Sequence, residues 1–469
     1  MTKDVLLTYF QKLRLPLRTE GKNFYSFIEN HLEFFNKELG TLLSNKESKT
    51  VFGEQVLETL KSERNNILDV SQAIINSLEN YRSGLVGDAF SILEQSLNKI
   101  EGRLLQIDIR GQGIPNRYCR IRPDKGDARS DLFHIKFSEV TKVKAYRYSV
   151  AGYPCLYLAG SKGSVGDALS LCWLETGMPS QFYWSEFQIN SVKEAINVVD
   201  FISSPFMNAF NLSHLYTMAL KNVPRDDFIV NAIFTYPIMA ACSVVVADKK
   251  QNFCPEYIIP QMFLSWIRKN KKLRGVAYYS CTDYRGARNY AAFNVALPPV
   301  EFETDGHCEV LKGEFLLSCP EKINISEILK RLQSDCENVR NFRDRLSNEF
   351  NHYVTESLRQ MQSLCTSWME MYRSILLGNT DEMPLKLEVI GTLCLTAQNM
   401  KENEFRTLTL RQLSNNTMDT EANRIRCEKM LEDFAKVQSS IQSLQTFDLE
   451  YFPMPEVQDF KCIEEKGER

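Results

Sequence analysis

The spacing of apolar residues changes twice along this 469-residue chain, and each change limits the folds that the sequence can adopt. Over the first hundred residues the apolar positions recur at steps of three and four, which predicts amphipathic helices. These positions are Phe24, Phe27, Ile28, Leu32, Phe35, Leu39 and Leu42, then Val56, Leu60, Ile67, Val70, Ile74 and Leu78. Gly84 and Gly87 precede a third helix, which Asp88 is expected to cap. The sequence therefore predicts a helical N-terminal region over residues 1–105.

A segment rich in Gly, Pro and Arg interrupts the helical pattern at residues 111–126 and marks the start of a second region. The short apolar or alternating runs that follow are typical of strands: YCRIR, PCLYLAG, FYWSEFQI, AINVVDF, CSVVVA, GVAYYS and FNVAL. Two stretches between them, VGDALSLCWLETG and PQMFLSWIRKN, have helical spacing. This mixture predicts an α+β domain with an irregular sheet over residues 110–320.

Helical spacing returns after Pro320 and runs from Ser326 to Gly378 without an internal glycine or proline. A helix of about fifty residues is long for a globular protein and needs another helix to pack against. The candidates are residues 419–444 of the same chain and a second copy of the chain, so we expect a homo-oligomer. The sequence predicts a long-helix region over residues 321–450 and a tail over residues 451–469, whose final residues, KCIEEKGER, are expected to be disordered.

The charge and cysteine content limit the partners that the chain is expected to have. The 56 Lys and Arg against 59 Asp and Glu leave a net charge of -3, which gives no global field to attract nucleic acid. A basic cluster at residues 268–274 follows a predicted helix, where cations favour the helix C-terminus, so we expect no nucleic-acid partner. The thirteen cysteines have irregular spacing without a C-x-x-C pair. We therefore expect reduced thiols, a cytoplasmic protein and no metal site.

One uncharged stretch, residues 228–247, is long enough to cross a bilayer. Asn231, Thr235, Pro237 and Ser243 interrupt it, and its end, SVVV, is typical of a buried strand. We interpret the stretch as part of the core and expect no membrane association. The first residues lack the apolar segment and cleavage site of a signal peptide.

Six side chains of the middle region stand in an order that indicates a function. They are Arg120 and Arg122 in YCRIRP, Arg147 in AYRYSVAGYP, Tyr157 in CLYLAG, Glu175 in CWLETG and Ser280 in AYYS. Taken singly, each has an ordinary structural explanation, such as a strand end, a helix surface or a turn. In this order they resemble the RES domain family, which is named for its recurring Arg, Glu and Ser. The resemblance covers about residues 115–300.

The resemblance implies a fold similar to that of ADP-ribosyltransferase toxins, in which a split, strongly curved sheet holds NAD as the substrate. It also implies cleavage of the nicotinamide–ribose bond, the reaction of an NAD glycohydrolase or phosphorylase, in a toxin or defence effector. The catalytic residues implied by position are Glu175, Ser280 and Arg147. The NAD-binding residues implied are Arg120, Arg122, Arg147, Tyr157 and Ser280, without a metal.

These residue types suit the chemistry of NAD cleavage. Guanidinium groups bind pyrophosphate oxygens in pairs, and a carboxylate stabilises the oxocarbenium character that develops on the ribose. The ring of Tyr157 could stack on a flat heterocycle, and Ser280 could hydrogen-bond a ribose hydroxyl or the nicotinamide amide. No G-x-G-x-x-G precedes a helix in a βαβ unit, so a dehydrogenase-type nucleotide site is not supported.

Two alternatives share this sequence pattern. The first is an ADP-ribosyltransferase that modifies a macromolecule. The second is a non-catalytic interaction protein built on an inactive RES domain, which is favoured by Leu174 beside Glu175 and by the extra segment GSKGSVGD at residues 160–167. An active enzyme of this kind needs restraint, because loss of NAD kills a cell. The expected restraint is a separate antitoxin or the chain's own helical flanks.

Overall fold

The protein was analysed as a computed structural model that describes residues 8–45, 53–110, 117–161, 165–190, 195–207, 225–246, 253–270, 272–281 and 292–327. It also describes residue 48, single residues or short groups between residues 330 and 435, and residues 461–463. The helices in these ranges are α1 (Phe24–Ser44), α2 (Glu54–Ser62), α3 (Arg64–Arg82), α4 (Val86–Ile100), α5 (Val165–Glu175), α6 (Arg225–Cys242), α7 (Ile258–Lys269) and α8 (Glu309–Glu314). Short 3-10 turns cover Glu101–Arg103, Arg129–Leu132, Phe137–Lys142 and Pro255–Tyr257.

The N-terminal region is helical, as predicted, and the predicted apolar stripe of α1 faces the core. Phe24, Ile28, Leu32, Phe35 and Leu39 are all buried there. Two details of the prediction are wrong. The second stretch is two helices, because the chain leaves helical geometry at Glu63 between α2 and α3. Asp88 does not cap α4, which begins at Val86 and has Asp88 within its first turn.

Nine strands form one mixed sheet. They are β1 (Gln106–Asp108), β2 (Arg117–Arg122), β3 (Leu156–Ser161), β4 (Gln181–Ile189), β5 (Asn197–Asp200), β6 (Gly275–Tyr278), β7 (Ala292–Leu297), β8 (Phe315–Leu317) and β9 (Glu321–Asn324). Their order is β1-β5-β6-β7-β3-β2-β4-β8, with β9 also paired to β4. All neighbours are antiparallel except β5 and β6. Together with the helices, this sheet confirms the predicted α+β fold class.

The sheet opens between its two halves at β2 and β3. The two strands pair only at Tyr118 with Gly160 and at Cys119 with Ala159. Pairing of β2 with β4 continues to Arg122, and pairing of β3 with β7 continues back to Leu156. A side chain at Gly160 would collide with the ring of Tyr118, whose nearest atom lies 2.7 Å from an added Cβ. Because the pairing of β2 with β3 stops after Cys119 and Ala159, Arg120 and Tyr157 lie where the two halves of the sheet separate.

Residues 228–247 were predicted to be buried core ending in a strand, and the structure confirms only the burial. Residues through Cys242 form α6, which packs against α2, α3 and α7 in one continuous core. Residues 242–246, the described part of the predicted strand CSVVVA, form no strand, and Val244 instead makes a single parallel bridge with Leu17. No helix among the residues that the structure describes has the length and apolar character to cross a membrane.

Residues 461–463, at the start of the segment KCIEEKGER that was expected to be disordered, are attached to the core. Lys461 forms an antiparallel bridge with Leu317 of β8, and the two residues exchange both backbone hydrogen bonds, at 2.9 and 3.0 Å. Ile463 is 4% exposed and belongs to the main core. The predicted long helix over residues 326–378 and its partner at 419–444 lie mostly outside the described residues. Cys427 and Leu431, one helical turn apart, are buried but are not members of the main core.

Candidate active site

Arg120 and Arg122 reach the opening of the sheet from β2. The Arg120 side chain is largely enclosed, and its Nη1 atom is buried without a hydrogen-bond partner. Burial lowers the pKa of Arg120, and the nearby charge of Arg122 lowers it further. Arg122 is half-buried and donates from Nη2 to the Phe133 carbonyl oxygen at 3.0 Å. Two neighbouring guanidinium groups, one of which has a buried donor without a partner, favour an anion at this position.

Arg147 lies in the loop between the 3-10 turns and β3 and is 8% exposed. Its Nη1 donates to the carbonyl oxygens of Cys242 and Val244, at 3.1 and 3.0 Å. Because Cys242 ends α6, Arg147 caps a helix whose last carbonyls lack internal partners. The guanidinium carbon lies 5.3 Å from the centre of the Tyr257 ring. Its second terminal nitrogen, Nη2, is buried without a partner. Capping therefore occupies Nη1 of Arg147 and leaves Nη2 available to donate to a ligand.

Tyr157 occupies β3 close to the point where the sheet opens. Its hydroxyl donates to Ser149 Oγ at 2.9 Å, which ties the strand to the loop that carries Arg147. The ring of Tyr146 packs edge-on against it with 6.0 Å between centres, and Tyr146 itself is 51% exposed. Tyr157 is half-buried, so part of its ring remains available for a flat ligand.

Glu175 is the last residue of α5 and is exposed, whereas the preceding Leu174 is 9% exposed and faces the core. Its Oε1 accepts a hydrogen bond from Nδ2 of Asn294, which lies on β7, at 3.2 Å. A carboxylate at a helix C-terminus adds its charge to the negative end of the helix dipole. The combination produces a negative potential suited to a cationic group.

Ser280 follows directly after β6 and is half-buried beside the buried residues Tyr279 and Cys281. Residues 282–291, which follow Ser280 and Cys281, lie outside the described part of the chain. The strand that precedes Ser280 contacts the Arg147 loop, because the ring of Tyr278 packs against the ring of Tyr148 with 4.6 Å between their centres.

The elements that carry these side chains are packed together: α5 contacts β2, β3 and β7, and Tyr278 of β6 contacts Tyr148 of the Arg147 loop. Burial raises the pKa of the Tyr278 phenol, Tyr157 and Glu175 raise it further, and Arg147 lowers it. Burial also raises the pKa of the Cys172 thiol, on which Arg120 and Glu175 act with opposite sign. Two contacts agree with these effects: Cys172 of α5 donates to the Cys119 carbonyl oxygen next to Arg120, at 3.3 Å, and Glu175 accepts from Asn294, which is opposite Tyr278 in the sheet.

Three residues of this region were missed from the sequence: Tyr257, Tyr278 and Asn294. Tyr278 and Asn294 are opposite each other in the pairing of β6 with β7, which only the sheet register reveals. Tyr278 lies in GVAYYS, where its neighbours suggested only a buried strand. Asn294 in FNVAL was a usable signal, because a polar residue inside an apolar strand needs a partner.

The basic cluster at the end of α7 has acidic partners. Lys269 pairs with Glu94 at 2.7 Å, Lys272 with Glu101 at 3.0 Å, and Arg274 with the buried Glu314. Lys269 belongs to the last turn of α7, which agrees with the interpretation that these cations lie at a helix C-terminus. These pairs bind the cluster to the N-terminal helices and to α8.

Comparison with known proteins finds a relative that is named for toxicity. The chain is 29% identical over 334 residues to "Putative toxin YopC" of Bacillus subtilis (strain 168). The match covers 68% of this chain and 70% of that protein. No family model matches the chain, and no solved structure matches it. The chain is thus similar, over about two thirds of its length, to a toxin-like protein.

Proposed function

We propose that the chain is an NAD-consuming enzyme of the RES type, which cleaves the bond between nicotinamide and ribose. One observation carries the proposal: Arg120 and Arg147 each have a buried guanidinium nitrogen without a partner. A buried charge with unused donors is costly unless a ligand supplies the acceptors. The pyrophosphate of a dinucleotide has oxygens of the required charge and spacing for guanidinium groups.

The acid needed for the reaction is also available. When the bond from the ribose C1′ to the nicotinamide nitrogen breaks, both electrons leave with nicotinamide and the ribose becomes cationic. Glu175 ends α5, the helix that packs on the strands of Arg120, Tyr157 and Asn294, and its charge adds to the negative end of that helix. Its carboxylate would stabilise the developing cation. Water or phosphate would then bond to C1′ and lose a proton.

The position of Leu174 bears on the non-catalytic alternative. Leu174 is buried, whereas Glu175 reaches the exposed end of α5. An acidic residue at position 174 would therefore face the core, and its absence does not remove an acid from the site. This supports the enzyme over the inactive interaction protein. The similarity to a toxin-like protein is compatible with the same choice.

Incubation of the pure protein with NAD, with nicotinamide followed by chromatography, tests the proposal. We expect wild-type turnover and a loss of several orders of magnitude in kcat for Glu175→Gln, which keeps the shape but removes the charge. Glu301→Gln, an exposed acid outside the site, serves as the matched control and should keep full activity. Micromolar NAD binding without turnover would support the non-catalytic alternative. Transfer of labelled ADP-ribose to macromolecules would support the transferase.

A further inference from the structure

The carboxylate of Glu175 is held by a single neutral group. Among the residues that the structure describes, only Asn294 hydrogen-bonds it, from Nδ2 to Oε1 at 3.2 Å. Glu175 is exposed, and an exposed glutamate samples several side-chain rotamers unless a contact selects one. The hydrogen bond therefore decides where the charge of Glu175 is placed.

Asn294 is fixed by the middle of the sheet. It is 8% exposed on β7, opposite Tyr278 of β6 on one side and opposite Ala159 of β3 on the other. All other residues of β7 are apolar and buried. A purely structural position of this kind is better filled by an apolar side chain, because burying an amide costs free energy unless it is bonded. The amide is therefore a rigid donor directed at Glu175.

Glu175 differs from two other acids of the domain, because its hydrogen-bond partner carries no charge. Glu186 is fully buried and paired with Arg117, and Glu314 is buried and paired with Arg274. In those pairs a guanidinium cancels the carboxylate charge. An amide orients a carboxylate without adding a positive charge beside it, so the carboxylate can act on a developing cation.

We propose that Asn294 is a positioning residue for the reaction: its amide binds Oε1 of Glu175 and thereby directs Oε2 at the ribose of NAD. This role rests on the proposed function and adds a residue that has no place in the Arg, Glu and Ser motif. Asn294 orients the acid and takes no part in binding the pyrophosphate. Its loss should therefore affect kcat and leave substrate affinity nearly unchanged.

The test compares steady-state kinetics of NAD cleavage for wild type, Asn294→Ala and the near-isosteric Asn294→Asp. For Asn294→Ala we expect kcat to fall by about 10- to 100-fold, with KM within about 2-fold of wild type. Asn190→Ala is the matched control, because Asn190 donates a comparable amide hydrogen bond to the Gly313 carbonyl oxygen at 3.1 Å, away from the site. It should lower the melting temperature similarly without changing kcat.

Asn294→Asp provides a readout that a structural role would not change. Two carboxyl groups at hydrogen-bond distance share a proton, so activity should require a pH higher by about one unit than in wild type. If Asn294→Ala fails to fold, this variant carries the test alone. Wild-type turnover together with unchanged kcat in Asn294→Ala, or with an unchanged pH profile in Asn294→Asp, would refute only the positioning role. Absence of turnover in the wild type would refute the proposed function and the positioning role together.

Discussion

Arg120 and Arg117 lie on the same strand, yet their guanidinium groups have opposite surroundings. Arg117 pairs with the fully buried Glu186, whereas Arg120 has a buried nitrogen without a partner. Removal of a buried, unpaired charge relieves a desolvation cost, but removal of one member of a pair leaves the other charge uncompensated. The same substitution should therefore have opposite effects on the stability of the protein at these two positions.

We expect Arg120→Met to keep or raise the melting temperature while it weakens NAD binding by about 10- to 100-fold, because a charge-assisted contact is lost. Arg117→Met, the control, should reduce the free energy of unfolding by about 1–3 kcal/mol, because it leaves the buried Glu186 without its partner while Arg117 itself is partly exposed to solvent. Thermal unfolding and calorimetric titration with NAD measure the two effects. A fall in melting temperature for Arg120→Met with unaltered NAD affinity would assign Arg120 to the fold instead of the site.

His134 makes the stability of the protein dependent on pH. It is 1% exposed, hydrogen-bonds the Ile135 carbonyl oxygen through Nδ1 at 2.8 Å, and accepts from the Cys308 backbone N–H through Nε2 at 2.9 Å. Burial lowers its pKa to about 3, with His307, Arg120 and Arg122 acting in the same direction. In the unfolded chain His134 therefore binds a proton below about pH 6.5, whereas in the folded protein it stays neutral until the pH approaches 3.

This difference stabilises the protein fully above about pH 6.5, and the contribution is lost as the pH falls toward 3. We expect the free energy of unfolding to fall by about 2 kcal/mol between pH 7 and 5 because of His134 alone. Urea unfolding at several pH values should give a smaller slope for His134→Gln than for wild type. Burial lowers the pKa of His31 to about 4, and His31 contributes equally to the pH dependence of unfolding in both proteins. Equal slopes in the two proteins would contradict this role of His134.

Sequence order alone led to Arg120, Arg122, Arg147, Tyr157, Glu175 and Ser280, because a motif records which residues recur. It does not record which hydrogen bonds they make. The capping of α6 by Arg147 and the contact of Asn294 with Glu175 join residues 95 and 119 positions apart in the chain. Such contacts depend on sheet register and loop path, which local spacing does not determine.

At the scale of elements, local patterns predicted β2 to β7, α5 and α7 because their apolar periodicity is undisturbed. The predictions from local patterns were wrong at positions where tertiary contacts determine the backbone structure. The chain leaves helical geometry at Glu63, whose carboxylate pairs with Arg103 from a later turn. The β-branched run that was expected as a strand after α6 has one bridge partner, Leu17. Strand propensity depends on available neighbours as well as on residue type.

Residues 461–463 should act as an edge of the sheet, although they are far along the chain from β8. A chain that ends after Phe460 loses two backbone hydrogen bonds to Leu317 and the buried side chain of Ile463. We expect this to reduce the free energy of unfolding by about 2–4 kcal/mol. Scanning calorimetry measures the change in melting temperature. A chain that ends after Ile463 is the control and should unfold with the wild type; equal melting temperatures for both truncations would contradict the prediction.

At the scale of the whole molecule, the chain is attached to the α+β core on both sides of residues 330–458. Both of its attachments, β9 on β4 and Lys461 on β8, lie at the same end of the sheet. We expect replacement of residues 330–458 by a flexible Gly/Ser linker to preserve the core, because both attachments remain. Light scattering and far-ultraviolet circular dichroism report mass and fold.

The same variant tests whether the helical flank restrains the enzyme or assembles it. If the flank has either role, the variant should show faster NAD cleavage or a lower mass in solution than the full chain. An unchanged mass together with unchanged cleavage would exclude both roles for this segment. The N-terminal helices cannot be removed as cleanly, since they pack on α6 and α7 within the main core.

The bridge between Leu317 and Lys461 also sets an order of events during translation. The two residues are 144 positions apart, and a ribosome adds about 5–20 residues per second. For on the order of ten seconds, β8 has left the ribosome while the residues that complete its edge have not been made. During that interval the nascent domain exposes an unpaired strand edge, the kind of surface that chaperones recognise and that promotes aggregation.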